Sequence, residues 1–261
     1  MNFIQKLESR VEGSDSLLCI GLDSDVENLP EGKDQFLFNK KIIEATHDLV
    51  CSYKLNTAFY ESMGHIGIMA LKNTCDYLKD KYPEIPVIID SKRGDIGNTN
   101  KGYVQFVFSY LGGDAVTVNP YLGEDAIGPF LDEKDRGIII LCKTSNPGSG
   151  EFQNLEIDGE PLYKSVARNV SRKWNKNNNC LLVVGATYPQ ELKEIRQIVG
   201  EDMWFLVPGI GSQGGDLEAT LKAGLNKKRK GLIINSSRSI FFADNPREET
   251  RRLKKTINRH R

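Results

Sequence analysis

The chain has 261 residues, room for one large core or two small domains, and 39% hydrophobic and 27% charged residues mark an ordinary globular composition. Its 35 basic and 35 acidic side chains cancel. No global basic field therefore exists to hold nucleic acid or anionic lipid, and any anion must be bound locally. Five cysteines without a C-x-x-C pair imply a reducing compartment, and three scattered histidines form no zinc-like cluster. The first residues read as an amphipathic helix without an apolar signal core, and no run of about 20 apolar residues occurs. The expectation is a cytoplasmic protein with neither membrane nor nucleic acid as partner.

In chain order, apolar runs of strand length fall at 17–22, 50–55, 86–90, 115–119, 137–142, 181–185, 204–208 and 232–235. Helical periodicity lies between several of them, at 36–49, 66–78, 98–111, 162–174, 190–199 and 217–223. Alternation of this kind implies right-handed βαβ units and a parallel sheet. Eight units in about 250 residues match a (β/α)8 TIM barrel. A doubly wound open sheet is the alternative. It usually carries a Gly-rich nucleotide loop after its first strand, where this chain has Gly21-Leu22-Asp23-Ser24-Asp25. No linker, low-complexity segment or change of composition divides the chain, which predicts one domain over 1–261. The basic cluster Lys227–Lys230 precedes the eighth strand, on the face opposite a barrel's chemistry, and reads as solvated surface.

Barrel enzymes draw their reacting groups from the C-terminal strand ends. Here the first strand ends in Asp23, and the second in Lys54 with Asn56 beyond it. The third is the most telling. Val87-Ile88-Ile89 suits a strand buried on both faces, and Asp90, Lys92 and Asp95 follow within six residues. Asp90 and Lys92 are two apart, so their side chains start on the same side. The fourth strand ends Thr117-Val118-Asn119. The fifth ends Lys143-Thr144-Ser145-Asn146-Pro147, with a long loop to about Pro161. One polar strand end can be a solvated loop, and for Thr117 and Asn119 both readings stay open; all eight together, with Gly185-Ala186-Thr187 ending the sixth, point to a site. After the seventh strand, Pro208-Gly209-Ile210-Gly211-Ser212-Gln213-Gly214-Gly215 bares backbone N–H groups before a helix near Asp216. After the eighth, Asn235-Ser236-Ser237-Arg238 supplies a guanidinium. These loops are the fold's usual phosphate position. The expected ligand is a phosphomonoester held by Gly209, Gly211 and Arg238.

The run Asp90-Ser91-Lys92-Arg93-Gly94-Asp95-Ile96-Gly97-Asn98-Thr99 resembles the Asp-x-Lys-x-x-Asp-Ile-x-Asn-Thr signature of the orotidine 5′-phosphate decarboxylase family. Gly21-Leu22-Asp23, Lys54-Leu55-Asn56, Thr144-Ser145-Asn146-Pro147, Val207-Pro208-Gly209-Ile210-Gly211 and Asn235-Ser236-Ser237-Arg238 resemble its other segments in order. The Thr-Ser-Asn-Pro segment is similar to a branch common in bacteria and seen in some parasites. The resemblance implies a barrel active as a homodimer, without metal or organic cofactor, that converts orotidine 5′-monophosphate to UMP. It implies catalytic roles for Lys54, Asp90, Lys92 and Asp95, with Asp95 and Thr99 crossing into the partner's site. It also implies that Asp23 and Asn56 hold ribose hydroxyls, that Thr144 or Ser145 meets the pyrimidine edge, and that Gln213 bridges base and phosphate. On that footing Lys92 protonates the ring carbon that loses CO2, while Asp90 faces the departing carboxylate. Two rivals share features. A Mg2+-dependent decarboxylase of 3-keto-gulonate 6-phosphate has the same Asp/Lys pattern but not Thr-Ser-Asn-Pro or Lys54-Leu55-Asn56. A non-catalytic phosphate-binding barrel would have lost one of the charges, and none is missing.

Overall fold

The computed structural model describes residues 1–29, 34–210 and 214–261. Eight parallel strands close into a barrel: β1 (Leu18–Gly21), β2 (Ser52–Asn56), β3 (Val87–Arg93), β4 (Ala115–Val118), β5 (Gly137–Lys143), β6 (Cys180–Val184), β7 (Phe205–Val207) and β8 (Leu232–Ser236). Each pairs with its neighbours in sequence, and β1 pairs with β8 through Leu18 opposite Ile234. Strand residues such as Ile20, Ile88, Val116, Ile139, Leu182 and Ile233 are fully buried. This is why the strands read as continuous Val/Ile/Leu runs rather than alternating ones. The predicted strands sit within a residue or two of the observed ones, except that β3 runs on to Arg93.

Helices cover the barrel. Gln35–Thr46, Gly64–Lys81, Pro189–Val199 and Leu217–Gly224 match the periodic segments. Gly97–Val104 and Leu162–Asn169 each continue through a wider π turn, at Gln105–Tyr110 and Val170–Trp174. Among the described residues, two helices longer than a single turn have no counterpart in the periodicity: Glu124–Leu131 and Pro246–Arg259. The long loop after β5 folds locally, with a turn of helix at Gly150–Gln153 and a two-residue hairpin pairing Glu156–Ile157 with Glu160–Pro161.

The first helix, Phe3–Ser14, is held by an Asn2/Gln5 capping box and lies across the amino-terminal mouth. The Phe3 N–H donates to the Asp135 carbonyl, Lys6 pairs with Asp114 at 2.8 Å, and Arg10 donates to the Val50 carbonyl at 3.0 Å. The aromatic ring of Phe3 occupies the space a Cβ at Gly137 would need. On the same end, buried Arg196 donates to the carbonyls of Gly200, Gly224 and Gly231 and lies 3.9 Å from the Phe205 ring. It thereby satisfies helix-end and turn carbonyls, those of Gly224 and Gly231 in the buried interior. All five cysteines are free and buried. Chemistry is left to the opposite mouth.

Candidate active site

At the C-terminal mouth of the barrel lies a cavity of about 770 Å³. Asp23, Lys54, Asn56, Asp90 and Lys92 line one side, and Pro208, Gly209 and Arg238 the other. Thr144 and Ser145 form a third wall. Ten of these residues are the strand-end groups picked out above, brought together by barrel closure from six different strands.

The charges form an alternating chain. The Lys54 Nζ lies 2.8 Å from Asp90 Oδ2 and 3.5 Å from Asp23 Oδ1. The Lys92 Nζ lies 2.7 Å from Asp90 Oδ1. Each oxygen of Asp90 thus receives its own ammonium. Burial alone would push the Asp90 carboxyl up, but Lys54 and Lys92 outweigh it and hold the carboxyl well below the usual range. Burial likewise pulls the Lys54 amine down, while Asp23 and Asp90 outweigh that and hold it above its ordinary value. Ser237 Oγ donates to Asp23 Oδ2 at 2.8 Å, so β8 fixes the end of the chain that starts on β1. The Lys92 side chain is about half exposed, 47% against 9% for Asp90. The first is open to a ligand; the second is walled in.

The third wall is held from behind. The Thr144 hydroxyl accepts from Gln153 Nε2 at 2.9 Å and donates to Asn146 Oδ1 at 2.7 Å, and Gln153 Oε1 takes the Thr144 N–H at 2.9 Å. Behind Thr144 the Lys143 amine is wholly buried. It donates to Asn154 Oδ1 at 2.8 Å and Ser149 Oγ at 3.3 Å, and sits 4.4 Å from the Tyr188 ring. It thus anchors the loop whose Gly148 and Phe152 also line the cavity. Gly185 backs Ser145 so closely that a Cβ there would lie 2.7 Å from Ser145 Cα. Lys143, named above only as a strand end, is a residue that sequence reasoning passed over. Its signal was present: a lysine closing the apolar run Ile138-Ile139-Ile140-Leu141-Cys142 has no solvent beside it.

At the expected phosphate end Gly209 adopts φ +102°, a conformation an L side chain resists. The Gly209 carbonyl accepts from the Gly215 N–H at 3.1 Å, closing the loop. Gly211 and Gln213 lie outside the described residues. The helix expected near Asp216 begins at Leu217, but Asp216 caps it by accepting from the Ala219 N–H, and neither Asp216 nor Leu217 lines the cavity. Its amino terminus is therefore partly satisfied by its own cap, and among the described residues Gly209 and Arg238 are the expected phosphate-end groups that line the cavity.

Asp95 and Thr99 do not line this cavity. Asp95 sits on the turn beyond β3 and Thr99 in the first turn of the helix that follows, Thr99 exposed and Asp95 half-buried, with the Asp95 carboxylate accepting from the Ile96 N–H at 2.7 Å. Arg93 props that turn: its guanidinium bonds Glu61 and lies 4.8 Å from the Tyr103 ring. Among the described residues, no group of three or more His, Cys, Asp or Glu side chains could hold a metal ion, and no helix is long and apolar enough to cross a membrane.

Known proteins share both sequence and fold. A family model described as "Orotidine 5'-phosphate decarboxylase / HUMPS family" matches residues 16–253. The chain belongs to that family. An orotidine 5′-phosphate decarboxylase of Cellvibrio japonicus is 51% identical over 252 residues, covering 94% of this chain and 91% of the relative. One from Cupriavidus necator is 45% identical and covers 100% of this chain and 99% of its own. Among solved structures, the OMP decarboxylase of Leishmania donovani superposes with a TM-score of 0.91 at 38% identity, covering 100% of this chain and 98% of that one. The (β/α)8 architecture is the fold this family model matches, and its span runs from just before β1 into the last helix.

Proposed function

We propose that this chain decarboxylates orotidine 5′-monophosphate to UMP, the closing step of pyrimidine nucleotide synthesis. The observation that carries the reading is the Lys54–Asp90–Lys92 chain opening into the same cavity as Gly209 and Arg238. The 5′-phosphate sits against Gly209, Gly211 and Arg238, and the ribose hydroxyls against Asp23 and Asn56. The pyrimidine then stands over Lys92. The Thr144 hydroxyl is already engaged by Asn146 and Gln153, so Ser145 meets the base edge, with Gln213 between base and phosphate.

The bond from C6 to the carboxyl carbon breaks, CO2 leaves, and the electron pair stays on C6. A fixed ammonium beside that carbon stabilises the charge as it develops, in a site already organised to receive it. Lys92 Nζ then gives C6 a proton and recovers one from solvent. Asp90 serves twice: it aims Lys92, and it sets negative charge beside the substrate carboxylate so that loss of CO2 relieves repulsion. Lys54 holds Asp90 and Asp23 in register.

The site is completed by a second copy of the chain in a homodimer, with Asp95 and Thr99 reaching the partner's cavity. Two facts support this. Neither residue lines its own cavity, and apolar side chains are exposed beside them: Ile96, next to Asp95, is 65% exposed, and Tyr121 79% on the loop after β4, whose Asn119 packs against Gly94. The enzyme works in the cytoplasm without a metal or organic cofactor. Loss of the orotate absorbance on adding enzyme to orotidine 5′-monophosphate, with chelator present, is the test. No change, or a reaction only with Mg2+ and a sugar phosphate, would replace this reading with the rival decarboxylase.

A further inference from the structure

The register of the barrel breaks once beside the reacting lysine. Ile89 stands opposite Val116 and Arg93 opposite Val118, so residues 90 to 92 face Thr117 alone. A bulge of this kind leaves backbone groups without ladder partners and re-aims side chains. Inside it Lys92 adopts φ +47°, a left-handed conformation that a lysine reaches only under constraint. Thr117 is buried, 1% exposed. Its Oγ accepts from the Lys92 N–H at 2.9 Å and donates its proton to Asp90 Oδ1 at 2.8 Å. That oxygen also receives the Lys92 Nζ at 2.7 Å.

We propose that Thr117 is a positioning residue that fixes the reacting ammonium, using one hydroxyl to hold both the backbone of Lys92 and the carboxylate that aims its side chain. The inference rests on the reading of Lys92 as the proton donor. The hydroxyl has a single proton, and Asp90 has none to give, so the direction of the chain is set: Lys92 N–H to Thr117 Oγ, and Thr117 O–H to Asp90. Each bond polarises the next. Without the hydroxyl the Lys92 N–H is left unmatched in the bulge, residue 92 relaxes from its left-handed conformation, and Asp90 Oδ1 loses one of its two donors. The effect falls on the position of Nζ, which matters most when the carbanion forms and least when the nucleotide binds.

The test compares Thr117→Val, Thr117→Ser and Lys92→Ala in decarboxylation of orotidine 5′-monophosphate, with UMP affinity and thermal midpoint measured alongside. Thr117→Val should lower kcat about ten- to a hundredfold, the span for losing a hydrogen bond to a charged group. UMP affinity should stay within about threefold, because a group that aims the donor adds little to ground-state binding. Thr117→Ser keeps the hydroxyl and should stay within about threefold of the parent kcat. A valine variant at the parent kcat beside an inactive Lys92→Ala would overturn the assignment. So would a serine variant that folds yet loses as much kcat as valine, or a valine variant whose kcat and UMP affinity fall together. A Lys92→Ala enzyme near the parent rate would instead sink the reading of Lys92 itself. Should the valine variant not fold, Thr117→Cys carries the same test. Its thiol is a poor donor, so a tenfold loss supports the role and the parent rate refutes it.

Discussion

Mixing two dead variants should give a live enzyme, in a proportion the structure fixes. Lys92 lies in the cavity of its own protomer, whereas Asp95 sits on a turn outside it. Lys92→Ala removes the proton donor, and general acid–base groups contribute about 10²–10⁴ to rate, so the homodimer retains about a hundredth of parent activity at most. Asp95→Ala is expected to fall comparably by stripping a carboxylate from the partner's site. After free exchange of equal amounts, about half of the dimers are mixed, by the symmetry of random pairing in a twofold assembly. In each mixed dimer one cavity carries both substitutions and the other neither. About one quarter of all sites, and therefore about one quarter of parent kcat, should return, at least tenfold above either parent variant. Native mass spectrometry follows the exchange while orotate absorbance follows turnover. Lys92→Ala mixed with Lys54→Ala is the control: both residues line the same cavity, so neither site of that mixed dimer is intact and nothing should return. Absence of recovery once mixed dimers are seen, or recovery in the control, would refute a shared site.

Asp90→Asn should flatten the acid side of the stability profile. The folded carboxyl is held below its ordinary value, so its stabilisation is present above the unfolded pKa of about 4 and is lost as pH falls further. The parent's urea midpoint should therefore drop more steeply than the variant's between about pH 5 and pH 3; equal slopes would refute this. Lys143→Met should loosen the loop after β5, since the amine holds both Ser149 and Asn154. Losing bonds of this strength raises local opening about ten- to a hundredfold, read as faster amide exchange over 144–154; unchanged protection there counts against the anchor. Gly185→Ala pushes a methyl to 2.7 Å from Ser145 Cα. The backbone carrying the proposed base contact must shift, and kcat/KM should fall about tenfold or more, as small misplacements at a reacting centre do. A parent-like kcat/KM would show that the wall can yield.

The barrel was legible because its strands are buried on both faces, so runs such as Val87-Ile88-Ile89 and Ile138-Ile139-Ile140 declare themselves without an alternating pattern. Two helices were not. Glu124–Leu131 follows Gly123, contains Gly128 and Pro129, and is only eight residues long, so its breakers hide its period. Pro246–Arg259 buries only Thr250, Leu253 and Ile257 beneath a heavily charged exterior, and its apolar stripe is too thin to stand out. The site was read from strand ends, and Asp23, Lys54, Asp90, Lys92 and Arg238 converge because closure of the barrel makes neighbours of residues far apart in the chain. The bulge in β3 escaped notice, since nothing in Asp90-Ser91-Lys92 announces an extra stretch of strand. That is why Thr117 could be weighed only as an even choice between loop and site. The role of Arg93 was equally hidden, because Glu61 and Tyr103 meet it only through tertiary contact.

The sealed cysteines make the molecule its own unfolding gauge. Burial pushes the Cys51, Cys75 and Cys180 thiols up to about 12, and Cys19 and Cys142 higher still. Only the thiolate attacks an alkylating reagent, and at neutral pH the closed barrel offers almost none. Capture of Cys19, Cys142 and Cys180 must wait for their strands to part, and capture of Cys75 for the helix Gly64–Lys81 to lift, so the rates clock how often each element opens. Synchronous capture would mean that it comes undone in one piece.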